Sequence, residues 1–307
     1  MSRRLRFIPE GGALVEVTCR TLHSRFLLRP SRPLDEIIVG VLGRAQRRHA
    51  GIRICGYMFA SSHYHLLLDV DDAQQLSRFM RYLNSNLARK VGRLAGWRDR
   101  IWSRRYQAIV VSSEEAAQVE RLRYLLSHGV KEGLVESVRD WPGVSCVQAL
   151  TTGETVKGYW FDQTQEYAAR RRGEDFDRYR YANEEELTLS PLPCWADLSD
   201  KMMQQCVAAL IAEIEAEAAA HRRRTGSQVL GASAVRGQHP FDRPVKSKKS
   251  PAPLFHAASK AARTELYFLY AAFVADFRDA AEKLRAWKQT LSFPIGSFPP
   301  ALPFVAG

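Results

Sequence analysis

Two histidines separated by one residue form the most chemically suggestive pair in the sequence. His63 and His65 stand at the start of an apolar run that extends to Val70. In a β-strand, successive side chains point to opposite faces, so both imidazoles share one face and Tyr64 points to the other. Neutral imidazoles bind divalent metals, and such a site needs at least one further ligand from elsewhere. A plainer alternative stays open, in which one histidine packs in the core and the other is solvated.

A later stretch offers a nucleophile and a candidate third ligand. Residues 112–115 (SSEE) are typical of a capping box and predict a helix over residues 113–129. Tyr124 and His128 lie four residues apart in this helix and therefore on one face. A metal that polarises a phosphate, beside a tyrosine that attacks it, can cleave a DNA strand. The alternative is that Tyr124 packs in the core and His128 is solvated near the helix end.

Positive charge is concentrated in the first half of the chain. The whole chain has 307 residues and a net charge of +12. Residues 1–150 contain 24 Lys and Arg against 14 Asp and Glu, whereas residues 151–307 contain 21 against 19. A phosphate backbone is the commonest partner for such a field, and a basic surface kept for solubility is the alternative.

Arginines mixed with aromatic residues over 97–111 favour single-stranded nucleic acid, because guanidinium groups take phosphates and rings stack on bases. The alternative is a solvated edge strand whose charges prevent aggregation. Together with the polar face of the preceding helix, this stretch supplies the candidate DNA contacts: Arg78, Arg81, Arg89, Lys90, Arg98, Arg100, Trp102, Arg104, Arg105 and Tyr106.

Apolar periodicity over residues 1–150 predicts the order β-α-β-β-α-β-α. This order indicates an α+β domain in which an antiparallel sheet is sandwiched by helices. A loop with a short strand is expected over 135–150, where the domain ends. The predicted elements are a strand at 13–21, a helix at 34–50, a hairpin at 52–59 and 65–70, a helix at 73–94, a strand region at 97–111 and the helix at 113–129.

Residues 151–307 have a different character and predict a mostly helical C-terminal extension. Two long helices are expected, at 198–224 and 256–287. A Gly-, Pro- and Lys-rich arm over 225–253 lies between them, and a proline-rich tail covers 293–304. Residues 151–195 are rich in glycine, aromatic residues and charge, and no element is assigned to them.

The cellular compartment is inferred from what the sequence lacks. No stretch approaches the roughly 20 apolar residues of a membrane helix, and we expect no membrane partner. The N-terminus does not resemble a secretory leader. Five scattered cysteines contain no C-x-x-C pair, which argues against a disulfide framework or a cysteine zinc site. A cytoplasmic location is therefore expected.

Two motifs resemble those of a known family. The run 57–68 (YMFASSHYHLLL), and the run 123–135 (RYLLSHGVKEGLV) followed by DWP at 140–142, resemble the REP-associated tyrosine transposases. These belong to the HUH single-tyrosine transposases and are close to the insertion-sequence-200 type. The resemblance covers residues 1–150 and implies the ferredoxin-like fold of HUH endonucleases. Residues 151–307 resemble the extension of a longer subgroup.

The resemblance also implies a mechanism. In the family, the paired histidines and a polar residue one turn after the tyrosine bind Mg²⁺ or Mn²⁺. The tyrosine attacks single-stranded DNA near hairpins, which leaves a 5′-phosphotyrosine link and a free 3′-OH. By motif match these roles fall to His63, His65 and Tyr124. The sequence departs from the family in FASS at 59–62, where Met-Pro-Asn is usual, and in His128-Gly129, where Asn-Pro is usual. Three imidazoles suit Mn²⁺ or Zn²⁺ better than Mg²⁺.

The leading hypothesis is thus a metal-dependent tyrosine transposase that nicks and rejoins single-stranded DNA, as a monomer or a homodimer. One alternative is a domesticated or inactive protein that binds hairpins or repeats without cleaving them. Another is a metal-dependent hydrolase that uses His63, His65 and His128 and forms no covalent adduct.

Overall fold

The first half of the chain folds in the order that the periodicity predicts. The computed structural model describes residues 4–173, 177–245, 252–286 and 292–300. The order β-α-β-β-α-β-α is confirmed, and two short helices follow it. The elements of this half are β1 (Ala13–Arg20), α1 (Arg32–Arg48), β2 (Arg53–Ala60), β3 (His63–Val70), α2 (Ala73–Ala95), β4 (Gln107–Val111), α3 (Glu115–Leu126), α4 (His128–Lys131) and α5 (Val147–Thr152).

The second half contains both of the long helices expected there. One begins two residues and the other four residues later than predicted, and Trp287 of the second prediction lies outside the described residues. The elements are β5 (Val156–Phe161), α6 (Gln163–Arg171), β6 (Ala182–Leu187), α7 (Asp200–Thr225), α8 (Ala232–Gly237), β7 (Phe255–His256) and α9 (Lys260–Arg285).

Strand β1 lies in the middle of the main sheet. The strand order is β2-β3-β1-β4-β7, and every pair is antiparallel except β4 with β7. The β1–β3 register places Thr18 opposite His65 and Arg20 opposite His63. The α+β prediction with a largely antiparallel sheet and flanking helices is confirmed.

Helices cover both faces of this sheet. Helix α2 lies on one face, where the Tyr64 hydroxyl donates to Asn84 Oδ1 of this helix at 2.6 Å. Asp72 caps the start of α2 by accepting from the Gln75 backbone nitrogen, and Gly96 ends the helix in the left-handed conformation. The other face carries α3, so the strand alternation at β3 directs the two histidines toward α3 and Tyr64 toward α2.

The second half packs onto the first through several elements, among them α7, which lies against α3 and α5. The β5–β6 hairpin lies on the outer surface of α1, and β7 extends the main sheet beside β4. Buried residues from both halves form one hydrophobic cluster. The predicted division at residue 150, with separate units at 1–150 and 151–307, stays a prediction. Within the described ranges, no helix is long and apolar enough to cross a bilayer.

Three local predictions are wrong. The strand region at 97–111 shortens to β4, because residues 97–106 are irregular. They meet the end of β1 through a bridge between Thr21 and Trp102 and a bond from the Ser103 nitrogen to the Arg20 carbonyl at 2.9 Å. The helix at 113–129 ends at Leu126 and resumes as α4 after Ser127. The strand expected within 135–150 is replaced by an isolated bridge and by α5.

The capping box at 112–115 does not form as predicted, and a distant contact explains the difference. Glu114 is the N-cap residue of α3, yet its carboxylate accepts from the backbone nitrogens of Ala258 and Ser259 at 2.8 and 3.0 Å. The Ser112 hydroxyl donates to the same carboxylate at 2.7 Å. The Glu114 carboxylate is thus occupied by Ser112 and segment 258–259, and the Glu115 carboxylate of the predicted box faces Trp195 Nε1 at 3.4 Å.

The predicted arm and tail fall partly outside the described residues. The arm at 225–253 contains α8, and its residues 246–251 are not among those described. The tail at 293–304 has neither helix nor strand over 293–300, and residues 301–304 lie outside the described part. Residues 151–195, left without an element above, form the β5–β6 hairpin and α6.

Two glycines allow the hairpin to approach α1 closely. A Cβ atom on Gly40 would lie 2.2 Å from the Tyr159 carbonyl oxygen, and one on Gly158 would lie 2.4 Å from the Gly40 nitrogen. Glu185 of β6 is buried beside the contact and pairs with Arg44 and Arg47 at 3.1 and 2.9 Å. The backbone of β5 therefore packs directly against the backbone of α1, and the ion pairs of Glu185 flank this contact.

Replacing Gly40 with Ala tests this approach. An ordinary helix interior gains about 1 kcal/mol from Gly→Ala, but overpacking here should reverse the sign and cost about 1–3 kcal/mol. Urea unfolding measures the difference. Gly237→Ala is the matched control, since a Cβ there meets nothing within 4 Å. A stabilised Gly40→Ala protein would contradict the packing described.

Candidate metal and nucleophile site

The three predicted histidines converge between β3 and α4. Each offers one ligand atom, and these atoms all lie within 4.8 Å of one another. The ring centroids are 5.2 Å apart for His63 and His65, 4.7 Å for His63 and His128, and 5.1 Å for His65 and His128. Three imidazoles brought this close have the spacing that a shared metal ion requires.

Burial keeps these imidazoles in the form that binds metals. Burial lowers the pKa of His63 well below its ordinary value, and the neighbouring His128 and His65 lower it further. The pKa of His128 falls to about 3, again mainly by burial and then through His65. At neutral pH both rings are therefore uncharged with a free lone pair, which fits a divalent cation.

Hydrogen bonds to the Nδ1 atoms orient two of the rings. The Ser62 hydroxyl lies 3.1 Å from His63 Nδ1. His65 Nδ1 lies 3.0 Å from Glu16 Oε1 and 3.1 Å from Thr18 Oγ1. With Nδ1 engaged in each case, Nε2 is the nitrogen left to bind an ion. A carboxylate on the opposite nitrogen also makes an imidazole a stronger ligand.

Glu16 is a buried carboxylate with partners from three other elements. Besides His65 of β3, it faces His256 Nε2 of β7 at 2.8 Å and Arg121 Nη1 of α3 at 3.6 Å. Burial opposes ionisation, but the adjacent imidazoles of His256 and His65 outweigh it and hold the pKa of Glu16 below its usual range. The carboxylate is therefore an anion at neutral pH.

Tyr124 lies beside the triad on α3, half-buried. Its ring centroid is 5.6 Å from that of His65 and 6.2 Å from that of His128. The Arg121 guanidinium and the Lys131 ammonium lie 5.1 and 4.7 Å from the ring centroid. Burial raises the pKa of Tyr124, and the charge of Glu16 raises it further. The phenol is thus protonated at neutral pH, with two cations next to it.

Of the predicted residues, the structure brings His63, His65, His128 and Tyr124 together. The predicted DNA contacts form no single surface around them. Those on α2 lie across the sheet from the triad. Seven of the ten are exposed: Arg78, Arg81, Arg89, Arg98, Arg100, Arg104 and Arg105.

The other three predicted contacts are in the interior or packed, which corrects the assignment of Lys90 and Tyr106. Lys90 is buried under the β5–β6 hairpin, where Nζ donates to the Phe161 carbonyl at 2.5 Å. Trp102 donates to the Asn84 carbonyl at 3.0 Å and is partly buried against the core. Tyr106 is 8% exposed in the core. Lys90 and Tyr106 are therefore not free for phosphate contact or stacking, whereas a DNA contact by the partly buried Trp102 stays a prediction.

Several residues of the site were missed from the sequence. Glu16 and Thr18 alternate with buried valines on β1, and a charged residue facing a core is a signal that could have been used. Arg121 and Lys131 stand three residues before and seven after Tyr124, a helical spacing that was available. His256 had no such signal, because 240 residues separate it from Glu16.

The match to a known family lies over this site. Residues 36–125 match the family model of IS200-like transposases. The stretch from α1 to α3 is thus similar to IS200-like transposases. The matched range contains His63, His65 and Tyr124 and ends three residues before His128.

Comparisons with solved and curated proteins are more distant. A REP-associated tyrosine transposase bound to a REP hairpin is 19% identical with a TM-score of 0.40, over 49% of this chain and 85% of that one. A candidate transposase from Deinococcus radiodurans R1 is 16% identical with a TM-score of 0.28, over 40% and 95%. No curated protein sequence matches the chain.

Binding of an ion at the triad should be visible as stabilisation of the fold. Because only the folded chain brings the three rings together, Mn²⁺ at 100 times its Kd should add about 2.7 kcal/mol to the free energy of unfolding. Thermal melts at pH 7.5 with and without Mn²⁺ measure this. His63→Ala and His128→Ala should abolish the rise in Tm, whereas His221→Ala, on the exposed side of α7, should retain it. A rise that survives in both triad variants would place the ion elsewhere.

Proposed function

We propose that this transposase domain cleaves and rejoins single-stranded DNA near hairpins, with Tyr124 as the nucleophile and a divalent metal at His63, His65 and His128. The observation that carries the proposal is the position of the Tyr124 ring, 5.6 Å from His65 and one turn from His128. The motif resemblance supplies the class of substrate. The three imidazoles favour Mn²⁺ over Mg²⁺, which prefers oxygen ligands.

The chemistry is an exchange of one phosphodiester for another. The Tyr124 oxygen attacks phosphorus, the bond from phosphorus to the 3′ oxygen breaks, and the phenol proton leaves to water. The 3′ oxygen departs as a free 3′-OH after taking a proton. When bound, the ion would polarise the phosphate and stabilise charge on the leaving oxygen. Rejoining is the reverse attack by a 3′-OH, so no nucleoside triphosphate is needed.

The residues around Tyr124 have separate tasks in this scheme. Arg121 and Lys131 lie against its ring and are placed to hold the phosphate that the phenol attacks. Glu16 raises the pKa of the phenol, and Arg121 and Arg20 oppose this effect. Burial raises this pKa further, so the tyrosine is protonated at neutral pH before phosphate binds.

Tyr124→Phe tests the nucleophile. Removing only the hydroxyl should leave affinity for a hairpin oligonucleotide within a few-fold and abolish the covalent protein–DNA adduct. Denaturing gels detect the adduct, and mass spectrometry maps the nucleotide. Tyr267→Phe, on the exposed face of α9, is the control and should form adduct as wild type does.

An adduct in the Phe variant, or a nucleotide mapped to another residue, would show that Tyr124 is not the nucleophile. Hairpin binding without an adduct in the wild type would favour a domesticated or inactive binding protein. Cleavage without an adduct, but abolished by His65→Ala, would favour a metal-dependent hydrolase.

Lys131→Gln tests the placement of the phosphate. Its ammonium is a point charge beside the nucleophile, so its loss should slow adduct formation at least about 10-fold while changing hairpin affinity by less than about 3-fold. Lys201→Gln, at the exposed start of α7, is the matched control and should keep the wild-type rate. Equal rates for the two variants would argue against a role of Lys131 in the reaction.

A further inference from the structure

One side chain connects the second half of the chain to the candidate metal site. His256 on β7 places Nε2 2.8 Å from Glu16 Oε2. The other carboxylate oxygen, Oε1, lies 3.0 Å from Nδ1 of His65. A single carboxylate thus joins a candidate metal ligand to a residue 191 positions further along the chain.

The main chain around His256 is held at several points. In the parallel β4–β7 pair, Val111 stands opposite His256, and the Ser112 nitrogen donates to the His256 carbonyl at 2.8 Å. Two residues on, the Glu114 carboxylate accepts from the backbone of segment 258–259. These contacts tie the segment to β4 and to the start of α3, the helix that carries Tyr124. The backbone position of the His256 imidazole is therefore well defined.

The contact with His256 helps to offset the free-energy cost of burying the Glu16 carboxylate. Glu16 is 6% exposed, and a buried carboxylate is costly unless its oxygens have partners. Without His256, Arg121 at 3.6 Å is the one partner that Oε2 retains among the described residues, and the carboxylate gains freedom to turn toward that guanidinium. Such a turn weakens the bond from Oε1 to His65. Loss of the partner that orients a ligating imidazole typically costs 10–100-fold in metal affinity or activity.

We propose that His256 is a positioning residue of the metal site. It holds Glu16 so that the carboxylate fixes the ring orientation and tautomer of His65, and the second half of the chain is thereby part of the site. This inference rests on the proposed metal-binding function of the triad. Residues 1–150 alone would lack the contact and would bind the ion more weakly.

Calorimetric titration of the full chain with Mn²⁺, free of DNA, tests the proposal. His256→Ala should weaken Mn²⁺ binding by about 10-fold or more. His256→Gln, whose side-chain nitrogen reaches the position of Nε2, should stay within about 3-fold of wild type. His256→Asn is too short to reach Glu16 and should resemble the Ala variant. His221→Ala, in an exposed part of α7, should bind as wild type does.

Circular dichroism and the Tm without metal separate positioning from a merely structural role. A structural role would lower the Tm of all three His256 variants and leave the Mn²⁺ affinity of the folded protein unchanged. That result, or equal losses in the Gln and Asn variants, would overturn the proposal. If the Ala variant does not fold, the difference in Mn²⁺ affinity between the Gln and Asn variants still tests the proposal. A wild-type chain that does not bind Mn²⁺ would instead contradict the proposed metal site itself.

Discussion

The buried carboxylate of Glu16 is the group on which the arrangement of the site depends. It lies on β1, in the middle of the main sheet, and contacts His65 of β3, Arg121 of α3 and His256 of β7. A carboxylate buried away from water loses its hydration energy, and its polar partners offset that loss. Removing one partner therefore destabilises the folded protein. Strands from both halves of the chain and the tyrosine helix must therefore dock correctly around one side chain.

Glu16 also affects two neighbouring side chains with proposed chemical roles, His65 and Tyr124. Glu16 contacts the Nδ1 side of His65 and leaves the ring's other nitrogen for an ion. Its charge raises the pKa of Tyr124, while Arg121 and Arg20 lower it. In the proposed reaction, the same anion would strengthen His65 as a ligand and keep the Tyr124 phenol protonated. In the proposed cleavage, the cations beside Tyr124 would attract the incoming phosphate, and a divalent ion would offset the negative charge that develops.

Local patterns predicted much of this site, and distant contacts explain what they missed. Alternation along β3 is enough to place His63 and His65 on one face, and helical spacing is enough to bring His128 near Tyr124. The partnership of Glu16 with His256 depends on β7 pairing beside β4, which no local period encodes. Lys90 was taken for a DNA contact because the sequence did not reveal the hairpin that covers it.

The central claim is that the three histidines form a metal centre directly beside the tyrosine. Anomalous diffraction at the manganese edge, from crystals of the full chain soaked in Mn²⁺, tests it most directly. The account predicts one strong peak about 2 Å from a ring nitrogen of each of His63, His65 and His128, on the side that faces Tyr124. A strongest peak elsewhere, with none between these rings, would contradict it.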